Sequence, residues 1–279
     1  MKHLSSRHHP LVAACRAVAR GRHDQASRLL LDGPHLLMEA LASGVAIEVA
    51  VLAERLLSVE EGERLQRTLD AAGVETLSAS QTVIDALSPA STPSGVVAIA
   101  VRPGTSLARV LARAPQLLVV ALDVQDPGNV GAIIRAAEAG GATGVVLGGA
   151  SADPFGWKAL RGSMGSALRV PLVHGLPFPA VAGAIRDAGA RVLAAVVRGA
   201  SSAYESDLAG PVAFLLGGEG PGLASDAVAA SDAAVAIPMA PPVESLNVAV
   251  AAALLVYEAR RQRGWATASP PGGPDRSAE

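Results

Sequence analysis

Three segments of the chain gather residues able to hold a ligand or fix a hydroxyl group. The first is Gln125-Asp126-Pro127-Gly128-Asn129-Val130-Gly131, followed by Arg135. The second, Gly217-Gly218-Glu219-Gly220-Pro221-Gly222-Leu223, joins backbone freedom to a single carboxylate. The third runs Pro238-Met239-Ala240-Pro241-Pro242-Val243-Glu244-Ser245-Leu246-Asn247 into a long apolar stretch. Asn129 and Asn247 each donate and accept, which suits orienting a hydroxyl nucleophile. Arg135 offers a planar, permanently charged fork that matches phosphate oxygens. A plainer reading also holds for each segment: strand-to-helix turns need Gly and Pro, Asn129 would cap one helix, and Ser245 would cap another.

Known signatures narrow the chemistry. Position 223 is leucine, so the second segment lacks the third glycine of a GxGxxG dinucleotide fingerprint, and no stretch reads as a P-loop. The histidines lack ligand spacing such as HExxH, so no metal site is expected. Cys15 is the one cysteine; it forms no intramolecular disulfide, reads as core filler, and fits a cytosolic protein.

These segments need a scaffold. Candidate strands in the first half are Arg28–Asp32, Ile47–Ala53 and Val96–Val101. The candidate helices there are Pro34–Ser43, Glu60–Ala72 and Thr82–Leu87. The turn cluster from Ser91 to Gly95 precedes the last of those strands, and a connecting helix is expected over Leu107–Arg113. In the second half the strands are Leu117–Val124, Gly144–Leu147, Arg169–Val173, Arg191–Val197, Val212–Leu216 and Ala233–Ile237. The helices are Val130–Ala139, Pro154–Arg161, Pro179–Ala188, Leu223–Ala230 and Leu246–Arg263. Near-continuous apolar strands alternating with helices predict an α/β fold with a parallel sheet covered on both faces. Ligands of such sheets collect at the carboxyl ends of the strands, where all three segments fall. The expected division is residues 1–104, a linker over 105–116, a second domain over 117–265, and a disordered Pro/Gly/Ser-rich tail over 266–279.

Composition agrees. Of 279 residues, 50% are apolar and 17% charged, which supports a full hydrophobic core. Mean hydropathy is +0.37, yet the longest apolar run, Val248–Tyr257, is about ten residues where a bilayer needs roughly 20. A net charge of −2 argues against a globally basic nucleic-acid binder. Locally, however, residues 1–30 carry Lys2, Arg7, Arg16, Arg20, Arg22 and Arg28 against Asp24 alone. Such a segment would supply phosphate contacts with salt-sensitive affinity. Three Phe, two Trp and two Tyr are too few for a multi-base stacking platform.

Read together and in order, the segments resemble the SpoU (TrmH-like) family of RNA ribose 2′-O-methyltransferases within the SPOUT fold. The resemblance rests on Asn129-x-Gly131-x-x-x-Arg135, then Leu216-Gly217-Gly218-Glu219-Gly220-Pro221-Gly222-Leu223. It continues with Ile237-Pro238-Met239 and Glu244-Ser245-Leu246-Asn247-Val248-Ala249-Val250-Ala251. A subsidiary match is Arg161-Gly162-Ser163-Met164-Gly165-Ser166 leading to Arg169-Val170-Pro171-Leu172. Order and spacing agree from about Leu117 to Arg260. The N-terminal half looks like the family's substrate-binding domain, related to ribosomal protein L30, through Asp32-Gly33-Pro34-His35, Glu39-Ala40-Leu41 and Ser94-Gly95-Val96-Val97-Ala98. The family often has glutamate where Asp32 stands and asparagine where Gly218 stands.

The resemblance implies a SPOUT α/β-knot with a C-terminal trefoil knot, preceded by a small L30-like domain. It implies S-adenosyl-L-methionine held bent among Leu216, Gly217, Gly218, Gly220, Ile237, Pro238, Met239 and Leu246, largely by backbone groups. Asn129, Arg135, Glu219, Ser245 and Asn247 take the family's active-site positions. Arg135 is expected to clamp phosphate rather than act as base, since deprotonating a guanidinium is costly. Glu219 is either catalytic or a brace between loops. The implied substrate is structured rRNA or tRNA, and the implied assembly is a homodimer through the knotted domain. Two other readings remain open: a non-catalytic RNA-binding protein with this fold, and a base-modifying SPOUT methyltransferase.

Overall fold

A computed structural model describes residues 1–264; the tail expected from 266 lies outside the described residues. In chain order the elements are β1 (Lys2–Leu4), α1 (Pro10–Ala19), β2 (Arg28–Asp32), α2 (Pro34–Ala42), β3 (Ile47–Ala53), α3 (Glu54–Leu57), α4 (Glu60–Ala71), β4 (Glu75–Ala79), α5 (Gln81–Leu87) and β5 (Val96–Val101). There follow α6 (Leu107–Leu111), β6 (Leu117–Leu122), α7 (Pro127–Ala139), β7 (Gly144–Gly148), α8 (Trp157–Ser163), α9 (Ser166–Arg169), β8 (Leu172–Leu176) and α10 (Phe178–Asp187). The last are β9 (Arg191–Val196), β10 (Ser201–Ser202), β11 (Val212–Gly217), α11 (Ser225–Ala229), β12 (Ala233–Ala236) and α12 (Val248–Gln262).

Two sheets result. The first has order β1-β4-β3-β5-β2 and is mixed, because β5 runs antiparallel to both β3 and β2. The second has order β10-β12-β9-β11-β6-β7-β8 and is parallel throughout. Its strands are apolar on both faces: Val119, Phe214 and Leu193 pack toward α7, α8 and α12, while Val120, Leu215 and Val192 pack toward α10. Cys15 is buried under the first sheet, and that burial pushes its thiol up to about 12, which removes it as a nucleophile.

One expected strand is displaced. Residues Arg169–Val173 were expected to be extended, but the chain turns at Met164 and Gly165, both with positive φ, into the single-turn helix α9. Pro171 forces Val170 out of helical geometry (ψ 135°), so β8 begins after the proline. Strands β1 and β4 carry too few β-branched residues to announce themselves. The segment expected to link the halves is packed rather than loose: Val110 of α6 is fully buried and contributes to the second sheet's core.

The two halves share one core, and two charged clasps close their junction. Arg169 bridges Glu39 of α2 and Glu138 of α7, with Nη2 2.7 Å from Glu138. Arg102, just past β5, makes paired hydrogen bonds to Asp153 (2.6 and 2.8 Å) and stacks over Phe155 at 4.7 Å. Its Nη2 also donates to His174 Nε2 at 2.7 Å, so that imidazole must be neutral. Burial, then the Arg102 charge, holds the His174 pKa below its ordinary 6.5. Since the unfolded chain takes up this proton first, the stability it confers is full above about pH 6.5 and is lost as pH falls toward the folded pKa. The melting temperature should therefore fall as pH drops below about 6.5, and His174→Gln should flatten that slope; calorimetry across acidic pH checks it.

Candidate active site

Because the second sheet is parallel, the ends of β6, β9, β11 and β12 lie side by side. Gly217 pairs with Leu122, and Ala236 with Val196. Between them opens a cavity of about 380 Å³, within the usual size of small-molecule sites. Leu216 to Gly220, Ile237, Met239, Ser245, Leu246 and Asn247 all line it. The second segment folds back on itself through a bridge between Gly218 and Gly222, with Gly220 at φ +96°. That leaves backbone donors and acceptors facing a wall of small and apolar side chains.

The polar chemistry sits on one side, as a directed chain of hydrogen bonds. Asn247 caps α12: its Oδ1 accepts from the backbone N–H of Ala249 (2.9 Å) and Val250 (3.3 Å). With that oxygen committed, Asn247 Nδ2 donates to Asn129 Oδ1 at 2.9 Å. Asn129 Nδ2 then donates to Glu219 Oε1 at 2.6 Å, and Glu219 Oε2 accepts from the Gln125 N–H at 3.3 Å. The helix cap thus sets the direction of both amides. One lone pair of Asn129 Oδ1 and one N–H of each amide stay available for a hydroxyl.

Glu219 balances two effects. Its partial burial raises its pKa, but the hydrogen bonds from Asn129, its own backbone and Gln125 outweigh this and hold it below the ordinary glutamate value. It is therefore a carboxylate at neutral pH and accepts only. Glu219→Gln would set an amide N–H against the Gln125 N–H or rotate Asn129. The expected result is methyl transfer about tenfold slower with cofactor affinity little changed, read by kinetics and calorimetry. Ionisation of Glu219 should contribute no acid limb to the rate above its ordinary pKa.

Both helix caps differ from the plainer reading. Asp126, not Asn129, caps α7, its Oδ1 accepting from the Asn129 N–H at 2.8 Å; that frees the Asn129 amide for the network. Asn247, not Ser245, caps α12. Pro238, flanked by Ile237 and Met239 of the central lining, lines an adjoining cavity beside Arg198 and Glu244. Arg135 is exposed and lines a separate groove with Leu254 and Tyr257. Six residues beyond Asn129, at about 100° per residue, it faces roughly 240° around α7. Conversely, Ala195, Val196 and Val197 at the end of β9 line the cavity without any chemical signal in their types. Their position beside β11 at a strand end is the clue that could have found them.

Gly131 explains its place in the first segment by packing. A side chain there would meet the Ala159 carbonyl at 2.5 Å and the Ser163 nitrogen at 2.8 Å, so glycine lets α7 and α8 cross closely.

Comparison with known proteins places this arrangement. The SpoU rRNA Methylase family matches residues 116–257, and the MRM3-like substrate binding domain matches residues 18–98. The chain belongs to the SpoU rRNA methylase family. It is 34% identical over 277 residues to an uncharacterised tRNA/rRNA methyltransferase of Synechocystis, covering 96% of each chain. It is 32% identical to the 23S rRNA (guanosine(2553)-2′-O)-methyltransferase RlmP of Bacillus subtilis, over 83% of this chain and 88% of RlmP. Among solved structures, the SpoU methyltransferase AviRb of Streptomyces viridochromogenes in complex with AdoMet superposes with TM-score 0.81. The two are 29% identical, over 90% of this chain and 97% of AviRb. An AdoMet-bound rRNA methyltransferase of Sinorhizobium meliloti gives 0.82 at 29% identity, over 93% and 97%.

Proposed function

We propose that the chain transfers the methyl group of S-adenosyl-L-methionine to a ribose 2′-hydroxyl of structured rRNA or tRNA. The observation that carries this is the fixed Asn247–Asn129–Glu219 relay on the wall of a cavity built from backbone-rich loops. The cofactor supplies a methyl group already activated by its sulfonium. Leu216, Gly217, Gly218, Gly220, Ile237, Met239 and Leu246 would hold it, and the small, apolar lining suits an adenosine held by backbone groups. Asn129 and Asn247 orient the attacking hydroxyl, Ser245 offers a further hydroxyl beside them, and Glu219 keeps the Asn129 amide from flipping. Positioning for in-line attack and exclusion of water then account for most of the required acceleration. No metal enters this reading; among the described residues no cluster could hold one.

RlmP and the rRNA methyltransferase of Sinorhizobium meliloti favour rRNA over tRNA. In this reading residues 1–104 bind the RNA, residues 117–265 carry catalysis, and the work is done in the cytoplasm. No helix of the described residues is long and apolar enough to cross a membrane. The segment 237–247 leaves β12, two strands away from β11, and returns to bring Asn247 beside Asn129; that path supports the trefoil threading.

A homodimer through this domain accounts for Arg135. Val250, Leu254 and Tyr257 lie on α12 at helical spacing yet are 48%, 37% and 42% exposed. Leu254 and Tyr257 line the same groove as Arg135. Pairing this apolar face with a second copy buries it and carries Arg135 toward the other copy's site, where it would clamp phosphate. Leu254→Glu should convert the dimer to monomer in sedimentation analysis and lower methyl transfer about tenfold, with the fold retained by circular dichroism. The function itself is tested by incubating the protein with labelled S-adenosylmethionine and total RNA. Label should enter RNA with wild type and fail to enter with Asn129→Ala; equal incorporation by the two would refute the assignment.

A further inference from the structure

At the junction of the two halves, away from the central cavity, lies a second cleft of about 300 Å³. Arg16 and Arg20 of α1 line one side, Asp85 and Ser88 at the end of α5 another, and Trp157, the first residue of α8, closes it. Arg16 is held there by its Nε, which donates to the Ala86 carbonyl at 3.1 Å. The indole of Trp157 is half-buried, with Lys158 Nζ 5.6 Å and Arg161 Cζ 6.0 Å from its ring centroid. Among the described residues Arg16, Arg20, Lys158 and Arg161 form no ion pair. Two arginines lining the cleft and two further cations within 6.0 Å of its indole, against Asp85 alone in the lining, make a cleft suited to an anion bearing a flat ring.

We propose that this cleft is a nucleotide subsite for substrate RNA, with a base stacked on Trp157 and its flanking phosphates on Arg16 and Arg20. The inference rests on the RNA methyltransferase reading and adds a contact point to it. The volume suits one nucleotide rather than a platform of several, in keeping with the scarcity of aromatic residues. An acidic peptide would satisfy the arginines and leave the indole unused. Location agrees too: α8 follows the carboxyl end of β7, which pairs with β6, the strand leading to Asn129. Because the cleft takes its arginines from one half and its ring from the other, RNA would be held only when the junction is closed.

The probe is a mixed-sequence single-stranded RNA octamer, added to the full chain carrying Trp265→Phe so that Trp157 is the one remaining indole. Saturable quenching of its fluorescence is expected. By anisotropy with labelled octamer, Trp157→Leu and the double variant Arg16→Gln/Arg20→Gln should each weaken binding about tenfold, and Trp157→Phe should restore most of it. The double variant should also reduce the salt slope by about 1.4, for two lost phosphate contacts. Affinity for S-adenosylmethionine should be unchanged in all of them. The arginine variant alters exposed side chains and decides the matter where Trp157→Leu fails to fold. Octamer affinity that ignores all these changes overturns the subsite, as does displacement by polyglutamate at equal charge. If the octamer behaves as stated while no methyl reaches rRNA, the subsite stands and the enzymatic reading falls. If methyl transfer proceeds and the octamer pattern is absent, the subsite alone falls.

Discussion

Asn247→Asp should leave the protein folded and nearly inactive, with kcat lowered about 100-fold. Asparagine at this position does two jobs through two different atoms. Its oxygen caps α12, and aspartate performs that task equally well, so the melting temperature should stay close to wild type. Its nitrogen donates to Asn129, and aspartate cannot. Facing a new carboxylate, the Asn129 amide would rotate to donate toward it, turning its oxygen against Glu219. The two amides would lose the single orientation that the relay sets, and with it the proposed seat of the ribose hydroxyl. Asn247→Ala provides the contrast: it removes the cap as well and should additionally cost about 1 kcal/mol of stability. Thermal melts and single-turnover kinetics on the pair separate the helix cap from the relay.

Gly218→Asn, which installs the residue the family often has there, should weaken S-adenosylmethionine binding at least about tenfold. In this chain a Cβ at position 218 would run into the Asp123 carbonyl oxygen and sit 3.3 Å from the Val124 nitrogen. Both are backbone atoms at the end of β6, with no flexible side chain to yield. Asp123 is itself fixed at φ 58°, its carboxylate accepting from the Ala150 N–H at 2.7 Å. Relieving the overlap means spreading β6 from β11, at about 1–3 kcal/mol. The same movement would part Glu219 from the Gln125 N–H and open the cavity wall. Glycine here is thus a packing requirement of this chain. Titration calorimetry giving wild-type affinity for Gly218→Asn would show that the two strand ends have room to spare.

What could be read from the amino acids follows the range of the physics. The three loops were legible because Gly and Pro density at strand ends is a local property, and β2, β3 and β5 were legible to the residue because short apolar runs there are bounded by turn residues. Asp126 and Asn129 were confused as helix caps because both types serve and only geometry chooses. The relay was not legible: Asn247 and Asn129 are 118 positions apart, and nothing in either neighbourhood specifies which amide atom meets which. Arg135 was expected to clamp phosphate; only the fold shows that helical rotation sets it on a groove shared with Leu254 and Tyr257 of α12. Ala195–Val197 were missed because apolar residues at a strand end look the same whether they line a site or a core. The junction clasp of Arg169 with Glu39 and Glu138 is likewise a tertiary fact, since its charges lie on three separate elements.

On the proposed function, the relay presents a ribose hydroxyl, and not a base nitrogen or carbon, to the activated methyl group. Nucleoside mass spectrometry of rRNA methylated by the purified protein tests it most directly, because fragmentation separates ribose from base. The added methyl mass is expected on the ribose fragment. Finding that mass on the base fragment would contradict it.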